Sequence, residues 1–411
     1  MACLSVGLPT LTGLAPMLGH RPGDRSIVAE QQDAGTPRRL IRASQTRALE
    51  TVGESGDHGA APVPGVVVAS SMFDLETALS NRKPRPVQRE AHNLNELKSE
   101  LLATPSRLGQ SLGVILRRTR QIAATISFLR AGVFFVRALR DPRPAGEWLI
   151  FLGAFERLRG LEPAPLETFA KPLGNYAVYR LSIGERVAML RSHYSLIATT
   201  LPATALSTIW SDSSIELGYL QGKRGQKYRL TLDPARFCYK EGELSFSLTD
   251  AADGLELARL TFLIITLSGG AERALLIGGL QGPTSHAGAG AKTRIVAATR
   301  ALSGLRPKMA VFAAASAFAL ATGSKSLRAV SNRTHTINAD AGYQRRKMHA
   351  DYDAFWIERG GTSDELGFKI PLITGPRSQC SRRNEQRAQV AMLVYRLFDL
   401  EAPNELLARM A

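Results

Sequence analysis

Two glutamates stand close enough along the chain to act together. Glu241 and Glu243 are two residues apart in the stretch KEGELS, and residues two apart on a β-strand point to the same face, opposite here to Leu244 and Phe246. Two carboxylates on one face can serve as a general acid and base, or bind a cation. The alternative is an outer strand face whose glutamates only meet water. The pair is therefore a candidate catalytic site.

The segment IGGLQGP (277–283) ends an apolar strand with three glycines and a glutamine. Glycine at a strand end lets a ligand or another backbone approach closely, and the end of a central strand is a favoured place for a ligand. A tight turn that needs positive φ is the alternative. Gln281 and Gly282 are therefore candidate ligand-binding residues.

Two basic residues, Arg306 and Lys308, flank Pro307, which fits the first turn of a helix. The free backbone N–H groups at a helix start favour phosphate or carboxylate. Arg306 and Lys308 are therefore candidate ligands for an anion. Because many helix starts carry a basic neighbour, an ordinary helix end is the alternative.

Asn332 and His335 follow the predicted strand SLRAVS (326–331). Polar side chains just beyond a strand end line a crevice more often than they fill a core. Both are therefore candidate ligand-binding residues, and His335 is also a candidate general base. His193, by contrast, stands in an apolar helical stretch and is predicted to be a core histidine with a hydrogen-bond partner.

The stretch ADYDAFWIERGG (350–361) mixes aspartates with aromatic residues and ends in two glycines. We predict that Asp351 caps a helix here, because an aspartate oxygen accepts hydrogen bonds from the free N–H groups of the first turn. Tyr352 and Asp353 would then lie near the sheet edge, Tyr352 as a candidate catalytic residue and Asp353 as a candidate ligand-binding residue. A tyrosine packed for stability is the alternative.

Apolar patterns predict the elements that must position these residues. KYRLTLD and GELSFSLTD alternate as half-buried strands do, whereas LARLTFLIITL and ALLIGG are apolar on both faces, as central strands are. Short turns between these strands favour antiparallel pairing. Two helices, ended by Gly304 and Gly323, precede a fifth strand, and a short helix and a last strand, GFKIPLI, follow. We therefore predict an α+β fold with a largely antiparallel central sheet flanked by helices.

Composition divides the chain of 411 residues into three parts. Residues 1–90 are rich in Gly, Pro and Ala without a sustained apolar period, which predicts a disordered or low-order tail. Residues 91–170 show helical spacing and are predicted to pack as helices on the main domain, 171–405. The apolar run 309–322 is too short to span a bilayer and predicts a buried helix.

Charge and cysteine content limit the function classes. The net charge is +16, but the arginines are spread along the chain without any nucleic-acid-binding motif, so nucleic acid is not an expected partner. Three widely separated cysteines predict neither a disulfide framework nor a metal site. The N-terminus lacks the basic region of an export signal, so we expect a cytoplasmic protein. The basic segment 381–400 is either a peripheral contact for an anionic inner membrane or a packing helix.

Six motifs occur in a fixed order: RSHYSLI, YKEGELSFSLTD, IGGLQGP, TRALSGLRPK, LRAVSNRTH and ADYDAFWIERGG. Together they resemble the VirK/YbjX-like family, whose domain has no known function. The likeness covers residues 160–400, approximately, and leaves the first ninety residues unexplained. It implies a protein of Gram-negative bacteria, and enterobacterial members are tied to virulence and envelope properties.

The order of the predicted elements is similar to that of the N-acetyltransferase superfold, which is an analogy of fold alone. There the fourth and fifth strands splay, the pantetheine of an acyl-coenzyme A inserts between them, and the pyrophosphate sits on the next helix start. The likeness implies an acyl-CoA-dependent acyltransferase, with PTSHAGAGAK (283–292) as the phosphate-binding turn and Tyr352 as the acid that protonates the leaving thiolate.

Two departures weaken that analogy, and one rival class stays open. Ser285 stands where the superfold has Arg or Gln, and an extra helix precedes the fifth strand. The rival is a non-enzymatic factor that binds an envelope component, an acyl chain or a partner protein.

Overall fold

The computed structural model describes residues 108–267, 272–283, 288, 290–339, 351–372 and 382–400. Within them, eight strands form one mostly antiparallel sheet with helices packed against it. This confirms the predicted α+β class. The predicted low-order tail, 1–90, lies outside the described residues.

Six helices precede the first strand in the described part of the chain. They are α1 (Leu108–Thr125), α2 (Phe128–Ala138), α3 (Pro142–Arg159), α4 (Leu166–Ala170), α5 (Ile183–Thr200) and α6 (Ala203–Trp210). Helix α5 begins at a capping box, in which Ser182 and Glu185 satisfy each other's backbone N–H groups. An aromatic cluster of Trp148, Phe155 and Tyr194 joins α3 to α5.

The sheet contains the six predicted strands and two more. Its strands are β1 (Ile215–Gln221), β2 (Lys227–Pro234), β3 (Leu244–Asp250), β4 (Glu256–Thr266), β5 (Arg273–Gln281), β6 (Ser326–Ala329), β7 (Thr362–Ser363) and β8 (Phe368–Ile370). Their order is β1-β2-β3-β4-β5-β6-β8-β7, and all neighbours are antiparallel except β5 and β6. Sequence patterns miss β1, which a glycine interrupts, and β7, which has two residues.

Two helices, α7 (Ala291–Ala301) and α8 (Pro307–Ala321), connect the parallel strands β5 and β6. Helix α8 is the predicted buried helix, and its Phe318 packs on Phe246 of β3 and Phe262 of β4. It covers one side of the sheet centre, so the chain can return in parallel.

Two more helices complete the described fold. Helix α9 (Tyr352–Ile357) follows β6, and α10 (Arg382–Arg396) follows β8. Helix α10 buries apolar side chains against α8 and β1. The segment 381–400 therefore contains a packing helix, and membrane contact through its outer side stays a prediction.

Candidate functional site

A β-bulge in β5 brings a loop of the chain onto the sheet. Successive residues of β4 pair with Gly279 and Ile277, so Gly278 is the extra residue. A Cβ atom at Gly278 would lie 1.8 Å from the carbonyl oxygen of Glu241, and one at Gly279 would lie 1.8 Å from its Oε2. The two glycines therefore admit the backbone and side chain of Glu241, which is one of the two reasons predicted for them.

Glu241 lies between a glutamine and a histidine. The Nε2 of Gln281 donates to both carboxylate oxygens at 3.2 Å, and the Nε2 of His335 is 3.6 Å from Oε1. The Nδ1 of His335 accepts a hydrogen bond from the backbone N–H of Ile337, so a neutral His335 carries its proton on Nε2, beside Glu241. His335 is buried, and its Nε2 has no hydrogen bond within the described residues.

Tyr352 continues this row of polar groups. Its ring stacks on His335 with centroids 5.3 Å apart, and its hydroxyl accepts a 3.3 Å hydrogen bond from the backbone N–H of Leu280. That N–H lies past the last β5–β6 pair, Ile277 with Ala329. Burial raises the pKa of Tyr352, and the nearby Glu241 raises it further. The phenol therefore holds its proton at neutral pH.

A set of hydrogen bonds holds α9 so that Tyr352 reaches the sheet. The Asp351 carboxylate accepts from the N–H of Ala354, which confirms the predicted cap. Asn332 donates from its side chain to Asp351, and its Oδ1 accepts from the N–H of Tyr352. Its own backbone N–H donates to Asp353 at 2.7 Å. Asn332 and Asp353 thus position Tyr352, and a ligand-binding role for either stays a prediction.

Glu243 belongs to a different and fully bonded cluster. Its Oε1 accepts from the Nζ of Lys171 at 2.7 Å and from the hydroxyl of Tyr176 at 2.6 Å, and its Oε2 accepts from the hydroxyl of Tyr194. Burial alone would raise the pKa of Glu243, but the Lys171 charge and these hydrogen bonds hold it below its ordinary value. The carboxylate is therefore a buried anion with partners on both oxygens.

The expectation that Glu241 and Glu243 share one strand face is wrong. Strand β3 begins at Leu244, so both glutamates lie in the preceding loop, where the two-residue alternation of a strand does not apply. Gly242 between them packs on the backbone of Phe262, and an added Cβ would lie 2.6 Å from its carbonyl oxygen. The two side chains consequently meet different partners.

His193 is a core histidine, as predicted. Its Nδ1 accepts from the backbone N–H of Ile264, which lies beyond Phe262, the partner of the first residue of β3. Its Nε2 is buried and has no hydrogen bond in the described part of the chain. Burial lowers the pKa of His193 to about 4, with Lys171 acting in the same direction and Glu243 against it. His193 and Glu243 line one cavity of about 380 Å³, together with aliphatic side chains of α5 and α6.

A strained segment connects the two clusters. Ala177 and Arg180 have φ of 56° and 70°, a region that non-glycine residues rarely occupy. The N–H of Ala177 donates to the carbonyl of Lys240, and the N–H of Tyr179 donates to the carbonyl of Thr334. These bonds tie the residue before Glu241 and the residue before His335 to a single turn. Such strain persists only where the surrounding structure fixes it.

The predicted anion ligands separate in the structure. Lys308 lies beside Gly282, where an added Cβ would be 3.9 Å from its Cε. Burial lowers the pKa of Lys308, and the charge of Arg359 lowers it further. Arg306 is the exposed residue that precedes α8. The structure thus places Lys308, but not Arg306, at the end of β5.

One buried thiol adjoins the Glu241 cluster. Cys238 interacts with Thr261 and Gln281, and burial raises its pKa to about 12, with Glu241 acting in the same direction. The thiol is therefore protonated at neutral pH and is a poor nucleophile.

Sequence reasoning misses the partners of Glu243 and the thiol beside Glu241. Lys171, Tyr176 and Tyr194 precede Glu243 by 49 to 72 residues, so no local spacing could reveal them. Cys238 stands three residues before Glu241, and this short spacing is the one sequence signal that places a thiol near that carboxylate.

Glu241, His335 and Tyr352 together form a contiguous carboxylate, imidazole and phenol. The carboxylate can accept a proton, the imidazole carries one towards it, and the phenol can donate one. This arrangement suits a reaction that needs a base and an acid a few ångströms apart. All three residues came from sequence motifs, and their catalytic roles stay predictions.

Comparison with known proteins gives a family and no solved structure. Residues 126–391 match the model of a family described as "Protein of unknown function (DUF535)". The "Uncharacterized protein YbjX" of Escherichia coli (strain K12) is 31% identical over 307 residues, which cover 72% of this chain and 90% of that protein. No solved structure matches.

Proposed function

The chain belongs to the DUF535 family of proteins of unknown function, and we propose that it is an acyltransferase whose acyl donor is a coenzyme A thioester. One observation carries the proposal. Strand β5 runs on through residues 278–281 after β6 has ended, and the N–H of Leu280 in this extension is bonded to the hydroxyl of Tyr352. A donor bound along the extension would meet a backbone N–H and a phenol together.

The sheet order supports this proposal. Strands β1 to β5 form an antiparallel series, a helical connection leads to the parallel β6, and β8 lies between β6 and β7. The parallel pair thus occupies the fifth and sixth places in the sheet, and its pairing ends at Ile277 and Ala329, at the carboxyl end, where ligands of α/β sheets bind. The analogy with the N-acetyltransferase superfold places the pantetheine there.

The residues at the opening fit a coenzyme A group. The Leu280 N–H, which donates to the Tyr352 hydroxyl in this structure, would have to pass to a pantetheine carbonyl when the donor binds, and Lys308 beside Gly282 offers a cation to a phosphate. Helix α7 begins at Ala291, after a glycine-rich stretch, and a helix start favours phosphate. Residues 284–287 and 289 of the predicted phosphate-binding turn lie outside the described residues.

Glu241 and Tyr352 would divide the proton transfers. A bound thioester supplies an acyl carbon joined to a good leaving group. Glu241 takes the proton from the amine or hydroxyl of the acceptor as its bond to the acyl carbon forms. Tyr352 gives its proton to the sulfur as the C–S bond breaks, and the raised pKa of Tyr352 keeps that proton available. The Nε2 of His335 lies 3.6 Å from Glu241 Oε1, close enough to form a hydrogen bond to the carboxylate after a small shift.

The test measures binding and thiol release by the full chain. Acyl-CoA thioesters of graded chain length should raise the melting temperature, because a ligand at 100 times its Kd adds about 2.7 kcal/mol to the free energy of unfolding. Tyr352→Phe should slow thiol release by about 10²-fold or more, and loss of the acceptor for the Leu280 N–H should lower the free energy of unfolding by only about 1–3 kcal/mol. Tyr219→Phe is the control, since the Tyr219 hydroxyl bonds only to Glu216 on the surface.

Two outcomes would contradict the proposal. If no thioester raises the melting temperature and none releases thiol, the acyltransferase proposal fails and the non-enzymatic binding factor takes its place. If Tyr352→Phe releases thiol as fast as the wild type, Tyr352 is a packing residue and not the acid.

A further inference from the structure

Helix α2 is apolar on two sides. One side, with Phe134 at its centre, is buried in the core. Five large apolar side chains on the other side are exposed, and we call them the α2 apolar face: Phe128 (84%), Leu129 (78%), Val133 (44%), Val136 (59%) and Leu139 (42%). At 100° per residue the five fall within an arc of about 140°. A contiguous apolar patch of this kind marks an interaction surface.

The charge around this face is mostly positive. Residues 108–140 contain six arginines and neither Asp nor Glu. Arg130 and Arg137 lie next to the apolar arc, at about 180–200° on the same helical projection. They also line a cavity of about 460 Å³ with Lys171 and Lys240, and Glu167 is the one acidic residue that lines it. Apolar side chains are thus bordered by cations and by a basic cavity.

We propose that the α2 apolar face and the basic cavity beside it dock on an anionic phospholipid bilayer. The apolar side chains would enter the boundary between headgroups and acyl chains, while Arg130 and Arg137 would lie at the level of the phosphates. In the described part of the chain no helix could cross a bilayer. The contact is therefore with one surface, and it involves α2 rather than the segment 381–400.

Charge argues against two other occupants. A second copy docked face to face would set six arginines against six, without an acidic residue between positions 108 and 140 to compensate. Residues 1–107 carry 12 basic and 11 acidic residues, so they offer no negative complement. An anionic bilayer offers acyl chains to the α2 apolar face and phosphates to the arginines beside it.

The test is co-sedimentation of the full chain with vesicles. Vesicles that contain phosphatidylglycerol should retain the protein, pure phosphatidylcholine should retain much less, and salt should weaken binding. Phe128→Ser with Leu129→Ser should lower the partition coefficient about ten-fold or more. Arg130→Gln and Arg137→Gln should each lower it about five-fold on anionic vesicles, which corresponds to about 1 kcal/mol per charge.

Phe237→Ser is the matched control, because Phe237 is also 84% exposed but lies between β2 and β3. Arg382→Gln with Arg383→Gln tests the C-terminal helix, where both arginines are exposed. The proposal is wrong if wild-type protein stays in solution with anionic vesicles, or if Phe237→Ser weakens binding as much as the α2 variant. It is also wrong if the C-terminal pair carries the binding, or if the α2 variant instead dissolves a dimer seen by light scattering.

Discussion

Glu241 and Glu243 stand on either side of one glycine and meet opposite surroundings. Glu243 is an almost wholly buried anion with three hydrogen-bond donors on its two oxygens. Glu241 is partly exposed, is held by the amide of Gln281, and lies beside an imidazole N–H without a bond. Both oxygens of Glu243 already accept hydrogen bonds from buried donors. Glu241 can still gain a proton. We therefore expect a chemical role for Glu241 and a structural role for Glu243.

The largest expected effect on stability comes from replacing Glu243. Glu243→Ala removes the acceptor for Lys171, Tyr176 and Tyr194 and leaves a charge and two hydroxyls buried without partners. We expect the free energy of unfolding to fall by about 3–5 kcal/mol, measured by urea denaturation. Glu243→Gln, which keeps the shape and one carbonyl acceptor, should cost less. If Glu243→Ala were as stable as the wild type, Glu243 would have no structural role.

Acid should destabilise the region around His193 and Glu243. Burial lowers the pKa of His193 to about 4 from an ordinary 6.5, so the unfolded chain binds the proton first as the pH falls. Stability that is complete above pH 6.5 should therefore drop by on the order of 3 kcal/mol by pH 4. Glu243, whose pKa is also lowered, adds its own loss as the pH falls below its ordinary value.

The measurement for this prediction is urea denaturation at several pH values between 7 and 4. His193→Asn is the control, because an Asn oxygen can still accept from the N–H of Ile264 but does not titrate. The slope of stability against pH should flatten in this variant. An unchanged slope would assign the acid sensitivity to other groups.

Local patterns predicted the fold better than they predicted the site. Strands β4 and β5 are central because both their faces are apolar, and the Asp351 cap follows from residue type alone. The expectation that Glu241 and Glu243 share a strand face failed, because strand β3 begins only at Leu244. Where a strand begins depends on which neighbours pair with it. The partners of Glu243 lie in distant segments, and only the folded chain brings them together.

A smaller effect is expected from the cap that positions Tyr352. Asp351→Ala removes the acceptor for the N–H of Ala354 and for the side chain of Asn332. Loss of a cap costs about 0.5–2 kcal/mol of unfolding free energy. Turnover per folded molecule should fall as well, because Tyr352 is the first residue of the helix that Asp351 caps. Asp351→Asn keeps an acceptor oxygen and should restore most of both quantities.

Glu241→Gln should have the smallest effect on stability and should separate the roles of the two glutamates most clearly. The substitution keeps the shape, and the amide oxygen can still accept from Gln281, so the free energy of unfolding should change by less than about 0.5 kcal/mol. The amide cannot take a proton, however, so thiol release from an acyl-CoA should fall by about 10²–10⁴-fold. A stability loss as large as that of Glu243→Ala would make both glutamates structural. Full activity with full stability would leave Glu241 without a chemical role and direct the search for a base to His335, through His335→Gln in the same assay.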